Sequence, residues 1–120
     1  MIRVLLAEDD PDIQRVVRLA LRDDFEVTVA NNDREALARV AETRPHLILL
    51  DWMMPELNGP ETCAHLKSDP ETRDIPIAFL TARSQEAEIS RGLALGAIGY
   101  LTKPFDAHTL SARIRQLLDR

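Results

Sequence analysis

Leu47-Ile48-Leu49-Leu50-Asp51-Trp52-Met53-Met54-Pro55 begins with four consecutive branched apolar residues and runs directly into a carboxylate. A strand with one wet face alternates apolar and polar side chains, whereas a strand covered by helices on both faces is apolar throughout. Residues 47–50 therefore read as a central strand of a parallel sheet. Other short apolar runs occur at 2–7, 27–30, 77–80 and around 100–101. Between them the apolar residues recur three or four apart, as in Val16, Val17, Leu19, Ala20 and in Leu110, Ile114, Leu117, Leu118, the period of a helix with one buried face. The spacing predicts helices over 10–23, 33–42, 60–67, 85–95 and 106–118. Such an alternation with right-handed crossovers builds an α/β fold, a doubly wound five-stranded parallel sheet flanked by five helices. Its ligand site lies beyond the carboxyl ends of the strands.

Local chemistry supports these boundaries. Ser84 and Asp106 are N-cap residues in type, and Gly96 stands where a left-handed residue would close a helix. Residues 70–76, with two prolines and several charges, read as an exposed connection. A chain of 120 residues, 45% of them hydrophobic, can bury one core, so a single domain over 1–120 is expected. The net charge of −5 argues against direct contact with nucleic acid, which needs a basic face. Cys63 is the sole cysteine, which rules out an intrachain disulfide and a thiolate zinc site and fits a reducing, cytoplasmic setting. The apolar start is broken by Glu8-Asp9-Asp10, too soon for a signal-peptide core or a membrane span.

The strand ends collect reactive groups: Glu8-Asp9-Asp10 after the first, Asp51 after the third, Thr81-Ala82 after the fourth, and Thr102-Lys103-Pro104 after the fifth. Each alone has a plain structural use, as a helix cap, a turn residue or surface charge, and Asp10 is best read as a cap. Their placement at the ends of four strands gives them joint meaning. Carboxylates about 5 Å apart repel by roughly 3 kcal/mol at an effective dielectric near 20, so the cluster calls for a cation. An all-oxygen set with room for water suits Mg²⁺. Asp51 is ionised at neutral pH and needs no general base to attack phosphorus, only partners that hold the phosphoryl group in line. Lys103 is one of only two lysines among 15 basic residues, and a compact ammonium there suits a point-charge contact.

These residues resemble the receiver domains of two-component response regulators over essentially the whole chain. Residues 47–55, followed by Gly59, resemble the phosphoacceptor strand and loop, which puts Asp51 at the phosphorylated position. Val4-Leu5-Leu6-Ala7-Glu8-Asp9 resembles the acidic pair, implying that Asp9 binds Mg²⁺ directly and Glu8 through water, with the Met53 carbonyl completing the protein ligands. Phe79-Leu80-Thr81-Ala82 carries the switch hydroxyl at Thr81, and Tyr100-Leu101-Thr102-Lys103-Pro104-Phe105 the switch aromatic Tyr100 and the site lysine. The resemblance also implies a flavodoxin-like strand order 2-1-3-4-5 and a cis Lys103-Pro104 peptide. It implies transfer from a phosphohistidine of a sensor histidine kinase or phosphotransfer protein, in-place hydrolysis of the phosphoaspartate, and a changed face on the fourth helix, fifth strand and fifth helix. That face would meet a downstream effector domain or protein, or a second copy in a homodimer, although Ile98-Gly99 stands where dimerising members often carry acidic residues.

Other activities fit less well. A haloacid-dehalogenase phosphatase wants a second acid two residues after its nucleophile, where Met53 stands. A flavodoxin-like carrier wants a phosphate-cradling loop after the first strand, where Glu8-Asp9 would repel a phosphate. A third alternative is a receiver-like module that no longer accepts phosphate. His46, His65 and His108 have no ligand spacing, Cys63 reads as a small buried hydrophobe, the Met53 side chain reads chiefly as packing, and Trp52 reads either as a shield beside the acceptor or as packing.

Overall fold

The computed structural model describes residues 1–53, 58–81, 86–103 and 105–119. Strands and helices alternate as β1 (Ile2–Ala7), α1 (Pro11–Leu21), β2 (Phe25–Ala30), α2 (Asp33–Thr43), β3 (Leu47–Asp51), α3 (Gly59–Ser68), β4 (Ile77–Thr81), α4 (Glu86–Ala94), β5 (Gly99–Thr102) and α5 (Leu110–Leu118). All strand pairs are parallel and the order is β2-β1-β3-β4-β5, as expected. No helix among the described residues is long and apolar enough to cross a membrane.

The continuous apolar character of β3 has a direct cause. Leu47 and Leu49 enter a core layer with Val17 and Leu21 of α1 and Leu110 and Ile114 of α5. Ile48 and Leu50 enter the opposite layer with Ala36 and Val40 of α2 and Cys63 and Leu66 of α3. Side chains alternate across the sheet, and here both destinations are dry. Each fully buried Leu or Ile contributes roughly 1.5–3 kcal/mol. Leu49→Ala is expected to cost about 2–5 kcal/mol, whereas Leu19→Ala, at a residue 56% exposed on α1, should stay within about 0.5 kcal/mol. Urea denaturation with an unchanged slope checks the pair.

Helix ends follow the chemistry of their residues. Asp10 caps α1, accepting the Asp12 amide at 2.8 Å, with Pro11 at the first helical position. Gly96 adopts φ +105°, and Gly96 N donates to Leu93 O while Ala97 N donates to Gly92 O, which closes α4 in a Schellman turn. Asp106 departs from expectation. Its side chain accepts the His108 amide at 2.8 Å and its carbonyl the Thr109 amide, forming a separate turn, so α5 starts only at Leu110. Asp51 also extends β3 by one residue and Phe25 starts β2 two residues early. The expected Ser84 cap, the helix start at Gln85, residues Met54-Pro55, Ala82 and the Lys103-Pro104 peptide lie outside the described residues.

Candidate functional site

The chain runs from β1 outward to β2, then crosses back to place β3 on the other side of β1. The loops leaving β1 and β3 thus diverge to opposite faces and open a crevice at the carboxyl ends, the usual ligand position in such sheets. Glu8, Asp9 and Asp51 meet there, each offering a carboxylate oxygen within 4.8 Å of the others. Asp9 is exposed, while Glu8 is only 1% and Asp51 7% exposed.

Lys103, carried in by β5, bridges the two buried acids. Its Nζ donates to Asp51 Oδ1 at 3.0 Å and stands 2.7 Å from Glu8 Oε1. The latter contact is a close ion pair without hydrogen-bond alignment, so Glu8 Oε1 keeps an unfilled acceptor. The other Glu8 oxygen, Oε2, accepts the Asp10 amide at 3.2 Å, and Asp51 Oδ1 also receives the Met53 amide at 3.4 Å. Burial pushes the Glu8 carboxyl up to about 7, reinforced by the Asp51 charge and opposed by Lys103 and the Asp10 amide. Burial alone would lower the Lys103 ammonium, yet its close contacts with Glu8 and then with Asp51 together hold it above its ordinary value.

The donor set fits a hard divalent cation. Three carboxylates gather around one ammonium, which contacts Glu8 and Asp51, so the cluster is net negative once they ionise, and a buried oxygen of Glu8 lacks a hydrogen-bond partner. Oxygen-only ligation with one member open to water matches Mg²⁺.

The remaining expected residues flank this centre. Thr81 is buried at the end of β4, next to Leu80, the register partner of Asp51, and its carbonyl accepts the Lys103 amide at 2.6 Å. Tyr100 is half-buried on β5, beside Phe79 in register, and packs against the core layer of α2 and α3. The Met53 side chain, read as packing, is instead 75% exposed, because it follows the strand end and has no neighbouring layer to enter. Trp52 does pack: its ring meets Phe79 edge-on, 4.9 Å between centroids at 68°. Burial pushes the Cys63 thiol up, as an inert core residue requires.

Three further residues shape the site. Gly59 lies so close to β3 that an added Cβ would stand 2.4 Å from the Asp51 carbonyl oxygen. Gly92 leaves room on α4 for the Phe79 and Trp52 rings. Gln14 donates to the Glu8 carbonyl at 2.5 Å. Only Gly59 gave a signal, as part of the motif after Asp51; the other two act through contacts distant in sequence.

Known proteins resemble this chain in sequence and fold. The family model described as the response regulator receiver domain matches residues 4–115. The phosphate regulon transcriptional regulatory protein PhoB of Rhizobium meliloti is 40% identical over 119 residues, 98% of this chain and 52% of the relative. The DNA-binding response regulator MtrA of Mycolicibacterium smegmatis is 38% identical over 98% of this chain and 51% of its own length. The chain thus spans about half the length of these curated relatives. Among solved structures, the chemotaxis response regulator CheY4 of Vibrio cholerae superposes with a TM-score of 0.91 at 32% identity, covering 98% of both chains. The receiver domain of Francisella response regulator 1452 gives 0.88 at 30% identity, covering all of this chain and 98% of the other. By fold and by this extended match, the chain belongs to the response regulator receiver domain family.

Proposed function

We propose that the unit over 1–120 accepts a phosphoryl group on Asp51 from a phosphohistidine of a sensor histidine kinase or phosphotransfer protein, in an Mg²⁺-dependent reaction. The observation that carries this proposal is Lys103 Nζ lying 3.0 Å from Asp51 Oδ1 and 2.7 Å from Glu8 Oε1 at the mouth of the sheet. An Asp51 oxygen attacks phosphorus, and the phosphorus–nitrogen bond of the donor breaks with its electron pair passing to the imidazole. Lys103 offsets charge on the transferred group. Asp9, Asp51 and the Met53 carbonyl would hold Mg²⁺, with Glu8 assisting from beside them. When bound, the ion neutralises the carboxylates and the phosphoryl oxygens.

The product is an acyl phosphate that water later cleaves in place, so the domain sets part of its own signal lifetime without turning over a separate substrate. Thr81 donates its hydroxyl to a phosphoryl oxygen, and Tyr100 turns inward behind it. Together they alter the face formed by α4, β5 and α5. That face meets a downstream effector domain or protein and is also where a homodimer would form. The work is done in the cytoplasm, with no direct contact to nucleic acid or membrane by this domain.

Intact-mass analysis after incubation with Mg²⁺ and acetyl phosphate tests the proposal. Wild type should gain one phosphoryl adduct, stable in acid and labile in base, and Asp51→Ala none. Asp51→Ala should change stability little, because the lost Lys103 contact is offset by two fewer carboxylate repulsions. A wild-type chain that binds Mg²⁺ and yet gains no adduct, from acetyl phosphate or from a phosphorylated kinase, would make it a phosphorylation-independent module.

A further inference from the structure

The acidic loop between β1 and α1 carries a strained arrangement of charge. Glu8 and Asp9 are neighbours in the chain, and both must present oxygens within 4.8 Å of Asp51. Repulsion favours opening the loop, and Asp9, being exposed, is free to swing into water. Something must hold the main chain against this tendency.

Gln14, on α1, is placed to do so. Its Nε2 donates to the Glu8 carbonyl at 2.5 Å and to Asn31 Oδ1 at 2.8 Å. Asn31 is itself anchored, its main-chain and side-chain nitrogens donating to Glu35 Oε1 at 3.0 and 3.2 Å. A chain of bonds thus runs from Glu35 on α2, through the loop after β2, to the backbone of the acidic loop. The chemistry of this junction is specific: two oxygens converge on one nitrogen, and an amide NH₂ has two hydrogens to give. A carboxylate at position 14 would set acceptor against acceptor. Gln14 N donates to Asp10 O at 3.0 Å, the first main-chain bond of α1, so the side chain projects from a fixed helical start.

We infer that Gln14 is a positioning residue for the metal site: by clamping the Glu8 carbonyl to the loop after β2, it holds Glu8 and Asp9 in the geometry that Mg²⁺ requires. This rests on the Mg²⁺ reading above. Gln14 contacts a main-chain carbonyl and a neighbouring amide, so it acts through Glu8 and not on the ion. Partners that orient metal ligands typically affect affinity by about 10- to 100-fold, and for a site this open to water the lower end applies.

The test is titration of the 120-residue chain with MgCl₂, followed by the amide NMR shifts of Asp9 and Asp10. Thermal melting and amide exchange are measured in parallel without metal. Gln14→Ala should weaken Mg²⁺ binding by roughly tenfold and speed exchange at Asp10, with the melting temperature within about 3 °C of wild type. Gln14→Glu should be weaker still, and Gln14→Lys, which restores a donor, should return most of the affinity. Wild-type affinity in the Ala and Glu variants would overturn the inference. So would a Lys variant as weak as Ala, or losses that track melting temperature and not the presence of a donor. Absence of saturable shifts in the wild type would instead overturn the Mg²⁺ reading beneath it.

Discussion

Lys103→Met is expected to destabilise the metal-free protein by about 3 kcal/mol at pH 8, toward the lower end for breaking a buried ion pair. Methionine keeps the length and apolar stem of the side chain, so the change is chiefly electrostatic. Its removal strands Glu8 and Asp51, which lie 2.7 and 3.0 Å from the lost ammonium and which repel each other and Asp9. The pH dependence has a defined sign. The Glu8 carboxyl already stands raised at about 7 in the folded state, by burial first and by Asp51 second, against about 4.3 in an unfolded chain. Its charge therefore burdens the fold fully above pH 7, and the burden fades as the folded form takes up a proton between pH 7 and 4. Losing Lys103 raises Glu8 further, so the deficit of the mutant should shrink at pH 5. Millimolar Mg²⁺ should also recover part of it, since an ion bound only by the folded form stabilises by mass action. Adduct formation should slow by on the order of 10²-fold, the usual effect of removing one preorganised charge partner. Chemical denaturation at pH 5 and 8, with and without Mg²⁺, checks the stability claims; equal mutant and wild-type stability at pH 8 without metal would contradict them.

Gly59→Ala should be the most damaging single-methyl addition near the site, at about 2–3 kcal/mol. The new Cβ would stand 2.4 Å from the Asp51 carbonyl oxygen and 3.1 Å from Trp52 Cα. Both are main-chain atoms that no rotamer change can move. Gly59 N donates to Trp52 O at 3.1 Å, so the start of α3 is also bonded to the segment it would be pushed from. Relief requires shifting the end of β3, which carries Asp51, and adduct formation should fall together with stability. Gly92→Ala is the comparison. Its Cβ would meet Phe79 Cδ2 at 2.8 Å, but an aromatic side chain can tilt, so the cost should be smaller by at least about 1 kcal/mol. Melting curves of the two variants, read beside intact-mass adduct yields, separate backbone collision from side-chain crowding.

Much of this molecule is legible in its sequence. Residues 47–50 are apolar without alternation because Leu47 and Leu49 serve one core layer and Ile48 and Leu50 the other, and that need for two dry faces implied the covered parallel sheet. The convergence of Glu8, Asp9, Asp51 and Lys103 followed in turn, since parallel strands carry their ends to one edge. Gly96 declared its left-handed turn for a local reason, the absence of a Cβ. Asp106 did not declare its role, because the side chain that caps a helix also closes an isolated turn, as it does here with the His108 amide.

Periodicity and the order of elements, hence the fold and the edge where the reactive residues gather, are written along the chain. Contact across elements is not: the bond from Gln14 to the Glu8 carbonyl, the closeness of Gly59 to Asp51, and Gly99, where a Cβ would stand 2.5 Å from Leu117 Cδ2, arise only in the packed molecule. Periodicity is a property of one segment and its faces, so it can be read along the chain. A contact depends on the distance between two segments, and that distance exists only once the layers have packed.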